Sequence, residues 1–153
     1  MKVQEKWIQA FETVFRKCKV EPGEIVRLLC ETESRCINVQ LAELALARMG
    51  AVPVQITVPS LPVTTPVPVR STGASHVVQN MPPVINALSG QGLVVDLTVE
   101  GLLHSPELPH ILESGARVLM VSNEHPEILE RLTTTLDLTK PVKNGVRMLA
   151  KSK

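Results

Sequence analysis

Hydrophobic side chains recur at helical spacing along residues 2–19, where they would share one face of a helix. The members of this face are Val3, Trp7, Phe11, Val14, Phe15 and Cys18. Pro22 and Gly23 end the pattern, because proline cannot continue a helix and glycine tolerates a turn. Residues 24–30 are then mostly apolar, with Arg27 as the interruption, and they predict a short buried strand.

A second helix and a second strand follow in the same order. Residues 35–49 carry an apolar stripe at helical spacing that ends at Gly50. Residues 52–58 place Val or Ile at every second position, which is typical of a strand. Because Pro53 donates no hydrogen bond, we expect this strand at an edge of the sheet, or paired only along its later part.

Residues 59–80 interrupt the alternation of helices and strands. They contain Pro59, Pro62, Pro66 and Pro68 in a stretch rich in Val and Thr. Because proline fixes φ and removes an amide donor, we expect an extended loop without regular pairing. A loop of this length in a compact domain is usually functional or mobile, and a plain surface loop is the alternative.

The second half of the chain repeats the alternation. Apolar runs at 93–97 and 117–122 predict two further strands. Ser105-Pro106-Glu107 and His125-Pro126-Glu127 each combine a capping residue, a proline for the first turn and an acid that favours the positive helix end. Helices are accordingly predicted over 83–90, from 105 to Gly115, from 125 onward, and over 140–151.

This order of elements predicts an α/β fold, a Rossmann-like three-layer sandwich with a mainly parallel sheet of about four strands. Residues 1–153 are interpreted as a single α/β domain. Ligands of such sheets bind beyond the carboxyl ends of the strands. That rule selects the loops at 31–35, 59–80, 97–105 and 122–126.

Composition excludes several classes of protein. The 153 residues are 44% hydrophobic and carry a net charge of +1, which argues against a basic nucleic-acid module. Two Phe, one Trp and no Tyr make a stacking platform for bases improbable.

No apolar run reaches the roughly 18 residues of a membrane span, and no signal peptide is evident, so the cytoplasm is the expected compartment. The odd count of three cysteines predicts buried thiols, Cys36 included, rather than disulfides.

His104 is the most informative candidate for chemistry. It follows the strand at 93–97, so it falls at the edge where ligands bind, and an imidazole can exchange a proton near neutral pH. Asp96 can cap neighbouring loop amides. His110 and His125 are expected at the surface or as satisfied caps, and no metal site is expected wholly within the chain. Gly90 and Gly92 precede a strand rather than follow one, so they predict a turn and not a dinucleotide site.

Residues 94–96, 101–107, 111–119 and 126–129 give the chain a family resemblance. These segments, with Gly101-Leu102-Leu103-His104-Ser105-Pro106-Glu107 at their centre, resemble the N-terminal half of the 2,5-dihydroxypyridine 5,6-dioxygenase family. The resemblance implies the N-terminal domain of a larger two-domain enzyme that cleaves an aromatic ring with Fe(II). It places the metal ligands in a C-terminal domain, so that this chain binds no metal. His104 would assist proton transfer near the substrate, with Leu103 and Ser105 as substrate-binding neighbours.

Two alternatives to this interpretation are kept. The wider superfamily that the chain resembles includes the aminopeptidase T metallopeptidases, which would use zinc or cobalt. A non-catalytic α/β binding module is the other alternative, in which the helix over 140–151 would be an oligomer contact. The partners expected are a small-molecule substrate and either a C-terminal domain or a partner subunit. A homo-oligomer is also considered, whereas nucleic acid and membrane are not expected partners.

Overall fold

The computed structural model describes residues 2–62, 75–133 and 139–151. Within them the chain alternates between helices and strands in the predicted order. The elements are α1 (Glu5–Lys17), β1 (Ile25–Glu31), α2 (Cys36–Arg48), β2 (Val52–Val58), α3 (Pro82–Leu88), β3 (Gly92–Asp96), α4 (Leu108–Glu113), β4 (Ala116–Met120), α5 (Pro126–Leu132) and α6 (Thr139–Lys151).

The four strands form one parallel sheet in the order β2-β1-β3-β4. The α/β prediction is therefore confirmed, and β2 lies at an edge as Pro53 suggested. From β1 the chain adds β2 on one side, and then β3 and β4 on the other. In such a sheet, a crevice opens beyond the carboxyl ends of the strands at the point where the strand order reverses. In this chain that point lies between β1 and β3, where Leu29 is in register with Asp96.

Hydrophobic side chains cover both faces of the sheet. On one face, α1 contributes Trp7, Phe11 and Phe15, and α2 contributes Leu41 and Leu46, to a cluster with the inward residues of β1 and β3. On the other face, Leu88 of α3 and Ile111 of α4 pack over a second, aliphatic cluster. The helices thus form a layer on each side of the sheet, which confirms the three-layer arrangement.

Arg27, which interrupts the apolar run of β1, has a structural role near the amino end of the neighbouring strand β3. Its buried guanidinium donates hydrogen bonds to the carbonyl oxygens of Ser89, Gly90 and Gln91, at 2.5, 3.1 and 3.0 Å. These residues form the turn before β3, and the turn predicted there is confirmed. Burial lowers the pKa of Arg27, against the opposing effect of the charge of Glu24.

Two predicted boundaries are wrong in informative ways. Helix α4 begins at Leu108 rather than at Ser105. The Ser105 hydroxyl donates to the carboxylate of Glu107 at 2.5 Å and does not cap a helical amide. The amide of Leu108 instead donates to the Ser105 carbonyl and closes a separate turn. Helix α3 ends at Leu88, before the predicted limit at Gly90.

The proline-rich segment is described only at its two ends. Residues 59–62 and 75–80 contain no helix or strand, as predicted, and residues 63–74 lie outside the described residues. Val77 and Val78 are buried in the aliphatic cluster over α3 and α4. The last part of the predicted loop therefore contributes to the core.

The prediction of three buried cysteines is wrong for Cys36. Cys30 is buried and Cys18 is half-buried, but Cys36 begins α2 and is exposed. Its apolar neighbour in sequence, Ile37, faces the core instead. Burial, with the nearby charges of Glu43 and Asp96, raises the pKa of the Cys30 thiol to about 12.

The exposures predict an order of thiol reactivity. Because the thiolate is the nucleophile, a maleimide or Ellman's reagent at neutral pH should modify Cys36 first. Cys18, whose pKa is raised by burial, should follow slowly, and Cys30 should react only after unfolding. Peptide mass spectrometry of a labelling time course measures this order. Modification of Cys30 in the folded protein at the rate of Cys36 would contradict the packing of β1.

Helix α6 confirms the helix predicted over 140–151. No residue of the helix is buried, and Val142, Val146 and Leu149 are among its exposed apolar side chains.

Within the described residues, no helix is both long and apolar enough to cross a membrane.

Candidate functional site

Three loops converge at the carboxyl edge of the sheet, beside the point where the strand order changes direction. The Ser34 hydroxyl, just beyond β1, donates to the carbonyl of Leu97 beyond β3 at 2.7 Å. The amide of Arg35 donates to the Asn123 side chain beyond β4, also at 2.7 Å. These hydrogen bonds join the loops after β1, β3 and β4 into one surface.

Asp96, the last residue of β3, is fully buried and holds the loop that follows it. One carboxylate oxygen accepts hydrogen bonds from the amide and hydroxyl of Thr98, at 3.0 and 2.6 Å. The other accepts from the amide of Leu102 at 2.6 Å. The capping role suggested for Asp96 is confirmed. Burial raises the pKa of the Asp96 carboxyl, and the Thr98 and Leu102 hydrogen bonds oppose that effect.

Glu31 is a second buried acid, at the end of the neighbouring strand β1. Its carboxylate accepts a hydrogen bond from the amide of Val99 at 2.9 Å, and the residue is 7% exposed. Glu31 was not among the candidate site residues predicted from the sequence. The signal available was an acid at the end of an apolar strand, the same signal that drew attention to Asp96.

Gly101 lets the loop approach β4 closely. Its φ of +81° lies in the left-handed region, and a Cβ placed there would stand 2.5 Å from the sulfur of Met120 and 2.9 Å from the hydroxyl of Ser122. Its carbonyl also accepts a hydrogen bond from the amide of Ser75 at 2.9 Å. Glycine is required here both by the backbone conformation and by the space.

The predicted site residues lie in a turn of this loop. The amide of Ser105 donates to the carbonyl of Leu102 at 2.9 Å, so Leu103 and His104 occupy the two central positions of a β-turn. Both side chains are exposed, Leu103 by 56%. Ser105 is buried, and its hydroxyl is bonded to Glu107. The turn thus brings Leu103 and His104 to the surface together and turns Ser105 inward.

The other two histidines singled out match their expected roles. His125 precedes α5 and accepts a hydrogen bond from the amide of Glu127 at 3.3 Å, while its ring meets the edge of Trp7. His125 therefore caps the start of α5 through its side chain, as expected. His110 lies exposed on α4.

An open cavity of about 350 Å³ lies beside the end of β1, among α2 and β2. Glu31, Ser34 and Thr57 are among the residues that line it, and Leu103 and His104 are not. The described part of the chain therefore provides an open surface for His104 and a separate recess next to Glu31.

The parallel sheet, the anchored loops at its carboxyl edge and the exposed imidazole define the class: an α/β domain of the kind that binds small molecules beyond its strands. The family model of 2,5-dihydroxypyridine 5,6-dioxygenase (NicX) matches residues 6–153, and the chain belongs to this family. The resemblance found in the sequence is therefore confirmed. No curated protein matches the chain significantly by sequence.

Solved structures agree with the family assignment. The chain is similar to 2,5-dihydroxypyridine dioxygenase from Pseudomonas putida KT2440, with 28% identity and a TM-score of 0.80. The match covers 98% of this chain and 43% of that one, so the chain spans less than half the length of this relative. A fatty acyl CoA synthetase from Mycobacterium tuberculosis shares the fold alone, with 16% identity, a TM-score of 0.50, and coverage of 84% and 22% of the two chains.

A dioxygenase of this family is expected to use a metal ion, and non-haem iron sites need several converging His or carboxylate ligands. Among residues 2–62, 75–133 and 139–151, no group of three or more His, Cys, Asp or Glu side chains is placed to hold a metal. Asp96 and Glu31 already accept loop hydrogen bonds, and His104 stands apart from them in a turn. The described residues do not fit a complete metal site.

Proposed function

We propose that this chain is the N-terminal, substrate-facing domain of an Fe(II)-dependent dioxygenase that opens the ring of a hydroxylated pyridine. Support comes from the family match and from the similar dioxygenase, which is named for 2,5-dihydroxypyridine. The observation that carries the proposal is the position of His104. It is exposed at the centre of a turn, in a loop anchored to the carboxyl edge of the sheet.

The division of labour is part of the proposal. Fe(II) would be held by residues outside 1–153, in a C-terminal domain or a partner subunit, and would supply oxygen activation there. The match covers only 43% of the similar dioxygenase, and no group of three or more possible metal ligands lies among the described residues of this chain, which accords with that division. Zinc or cobalt would take the place of iron if the protein were a metallopeptidase instead.

Within this domain, we assign the proton transfer to His104. An imidazole both accepts and donates protons near neutral pH, and a hydroxylated ring must release or take up a proton as it opens. Leu103, exposed at the preceding position, would offer an apolar contact to the ring. Ser105 would act beside them as a substrate-binding residue only if the turn rearranged, because its hydroxyl is bonded to Glu107.

The proposal predicts the behaviour of His104→Ala in the full-length enzyme. Turnover of 2,5-dihydroxypyridine should fall by about 10²–10⁴-fold, the usual contribution of a general acid or base, while the iron content stays unchanged. The decay of substrate absorbance and metal analysis by mass spectrometry measure the two quantities. His110→Ala is the matched control, because His110 is also exposed but lies on α4.

Three results would count against the proposal. Full turnover by His104→Ala would remove the role of the imidazole. Stoichiometric iron bound by residues 1–153 alone would contradict the placement of the metal. Hydrolysis of an amino-acid anilide, without cleavage of the pyridine ring, would favour the metallopeptidase alternative.

A further inference from the structure

Two buried carboxylates end the adjacent strands β1 and β3, and the hydrogen bonds described above connect both to one loop. Asp96 accepts from Thr98 and Leu102, and Glu31 accepts from Val99. The loop is thereby fixed at three positions along its path toward His104.

The last of these bonds lies next to the exposed turn. Leu102, whose amide is 2.6 Å from Asp96, is also the first residue of the β-turn that carries Leu103 and His104. The buried side chain of Leu102 fixes the same residue from the other side. The carboxylate of Asp96 therefore holds the first residue of the turn that carries His104.

The loop itself supplies the hydrogen bonds that compensate the buried carboxylate of Asp96. Burying a carboxylate costs free energy unless a cation or several hydrogen bonds compensate it. Among the described residues, no Lys or Arg pairs with Asp96, and its partners are all donors of the loop. The raised pKa of Asp96 reflects this cost. Ionisable groups held in unfavourable surroundings are enriched at functional sites.

We propose that Asp96 is the positioning residue of His104, and that Glu31 acts with it as a second anchor of the same loop. The inference rests on the role assigned to His104 in the proposed function. Asp96 touches neither substrate nor metal in this assignment. It acts by holding the backbone of residues 98–102, so that the imidazole is presented in a fixed place.

Asp96→Asn in the full-length enzyme tests this role. Asparagine keeps the shape but turns an NH₂ group toward one of the two sets of donors, so at least one loop amide loses its acceptor. Hydrogen exchange of the Thr98 amide or of the Leu102 amide should become faster. Because small misplacements of a catalytic group are costly, kcat should fall by up to about a hundredfold with KM little changed.

A double-mutant cycle separates positioning from a general structural effect. In a His104→Ala background, Asp96→Asn should lower kcat little further, because the group that it positions is already absent. An equal loss of kcat in both backgrounds would overturn the proposal, as would unchanged exchange of both the Thr98 and the Leu102 amides. Glu12→Gln is the control, since Glu12 is a buried acid on α1 that pairs with Arg48. It should leave both exchange and kcat unaltered.

Two further results remain interpretable. If Asp96→Asn does not fold, Thr98→Val removes one donor to the carboxylate, together with the acceptor of the Gly101 amide, and should show the same pattern with a smaller effect. The absence of any change in exchange and kcat in that variant would overturn the proposal. If His104→Ala keeps full turnover, the proposed function fails, and exchange at the Thr98 and Leu102 amides then decides whether Asp96 orders the loop.

Discussion

Replacing Phe15 with alanine is expected to lower the free energy of unfolding by about 3–5 kcal/mol, the range for aromatic-to-alanine changes in protein cores. Phe15 is fully buried, and its ring meets the edge of Phe11 with centroids 5.9 Å apart. The chain has only three aromatic residues, and all three lie on α1 and join the same cluster. The aliphatic side chains around Phe15 are too short to fill the space that its ring would leave.

Urea denaturation followed by circular dichroism measures this loss. Val146→Ala is a suitable control, because Val146 is 63% exposed on α6 and exposed substitutions usually change stability by less than about 0.5 kcal/mol. A loss below about 1 kcal/mol for Phe15→Ala would mean that α1 does not pack against the sheet as described.

The elements that the sequence predicts well are those formed by local periodicity. Helix α1 and strand β2 are recognisable because their apolar residues repeat at a period of 3.6 or 2, and that repeat is a property of neighbouring residues. The burial of Phe11 follows from this repeat, and the edge position of β2 follows from the missing amide donor of Pro53. The strand order does not, because the contact of β1 with β3 joins residues more than 60 positions apart.

The start of α4 shows where local signals fail. Ser105, Pro106 and Glu107 together satisfy the usual pattern of a helix start, yet the hydroxyl of Ser105 bonds to Glu107 and the chain makes two turns first. The bond from Leu102 to Asp96 fixes the preceding residues, so the helix begins where this tertiary anchor allows. Propensity ranks the local choices, and tertiary contacts select among them.

The sequence predicted where the candidate site lies in the fold, but it did not predict all of the hydrogen bonds that hold the loop of the site in place. The rule that ligands bind beyond the strands of a parallel sheet placed His104 at the correct edge. Glu31 was missed, because its partner Val99 is 68 residues further along the chain and no local pattern links them. The exposure of Cys36 was missed because sequence alone does not show whether the first residue of a helix faces the core or the solvent.

Gly101→Ala is expected to destabilise the loop that carries His104. A left-handed backbone costs an alanine about 1–2 kcal/mol relative to glycine. Its methyl group would also meet Met120 and Ser122, and overpacking of this kind adds roughly 1–3 kcal/mol. The two contributions together amount to about 2–5 kcal/mol. Because the partly exposed Met120 can move aside, whereas Ser122 is buried, only part of the overpacking can be relieved. Urea denaturation gives the loss, and hydrogen exchange over residues 97–105 shows whether it is local.

Gly23→Ala separates the two contributions in this estimate. Gly23 has nearly the same φ, +82°, but no atom lies within 4 Å of the position that a Cβ would take. Its substitution should therefore show only the backbone cost and leave exchange in residues 97–105 unchanged. If Gly101→Ala costs no more than Gly23→Ala, the loop does not press against β4. The turn that presents His104 would then be held by the hydrogen bonds of its loop, those to Asp96 and Glu31 included, and not by close packing against β4.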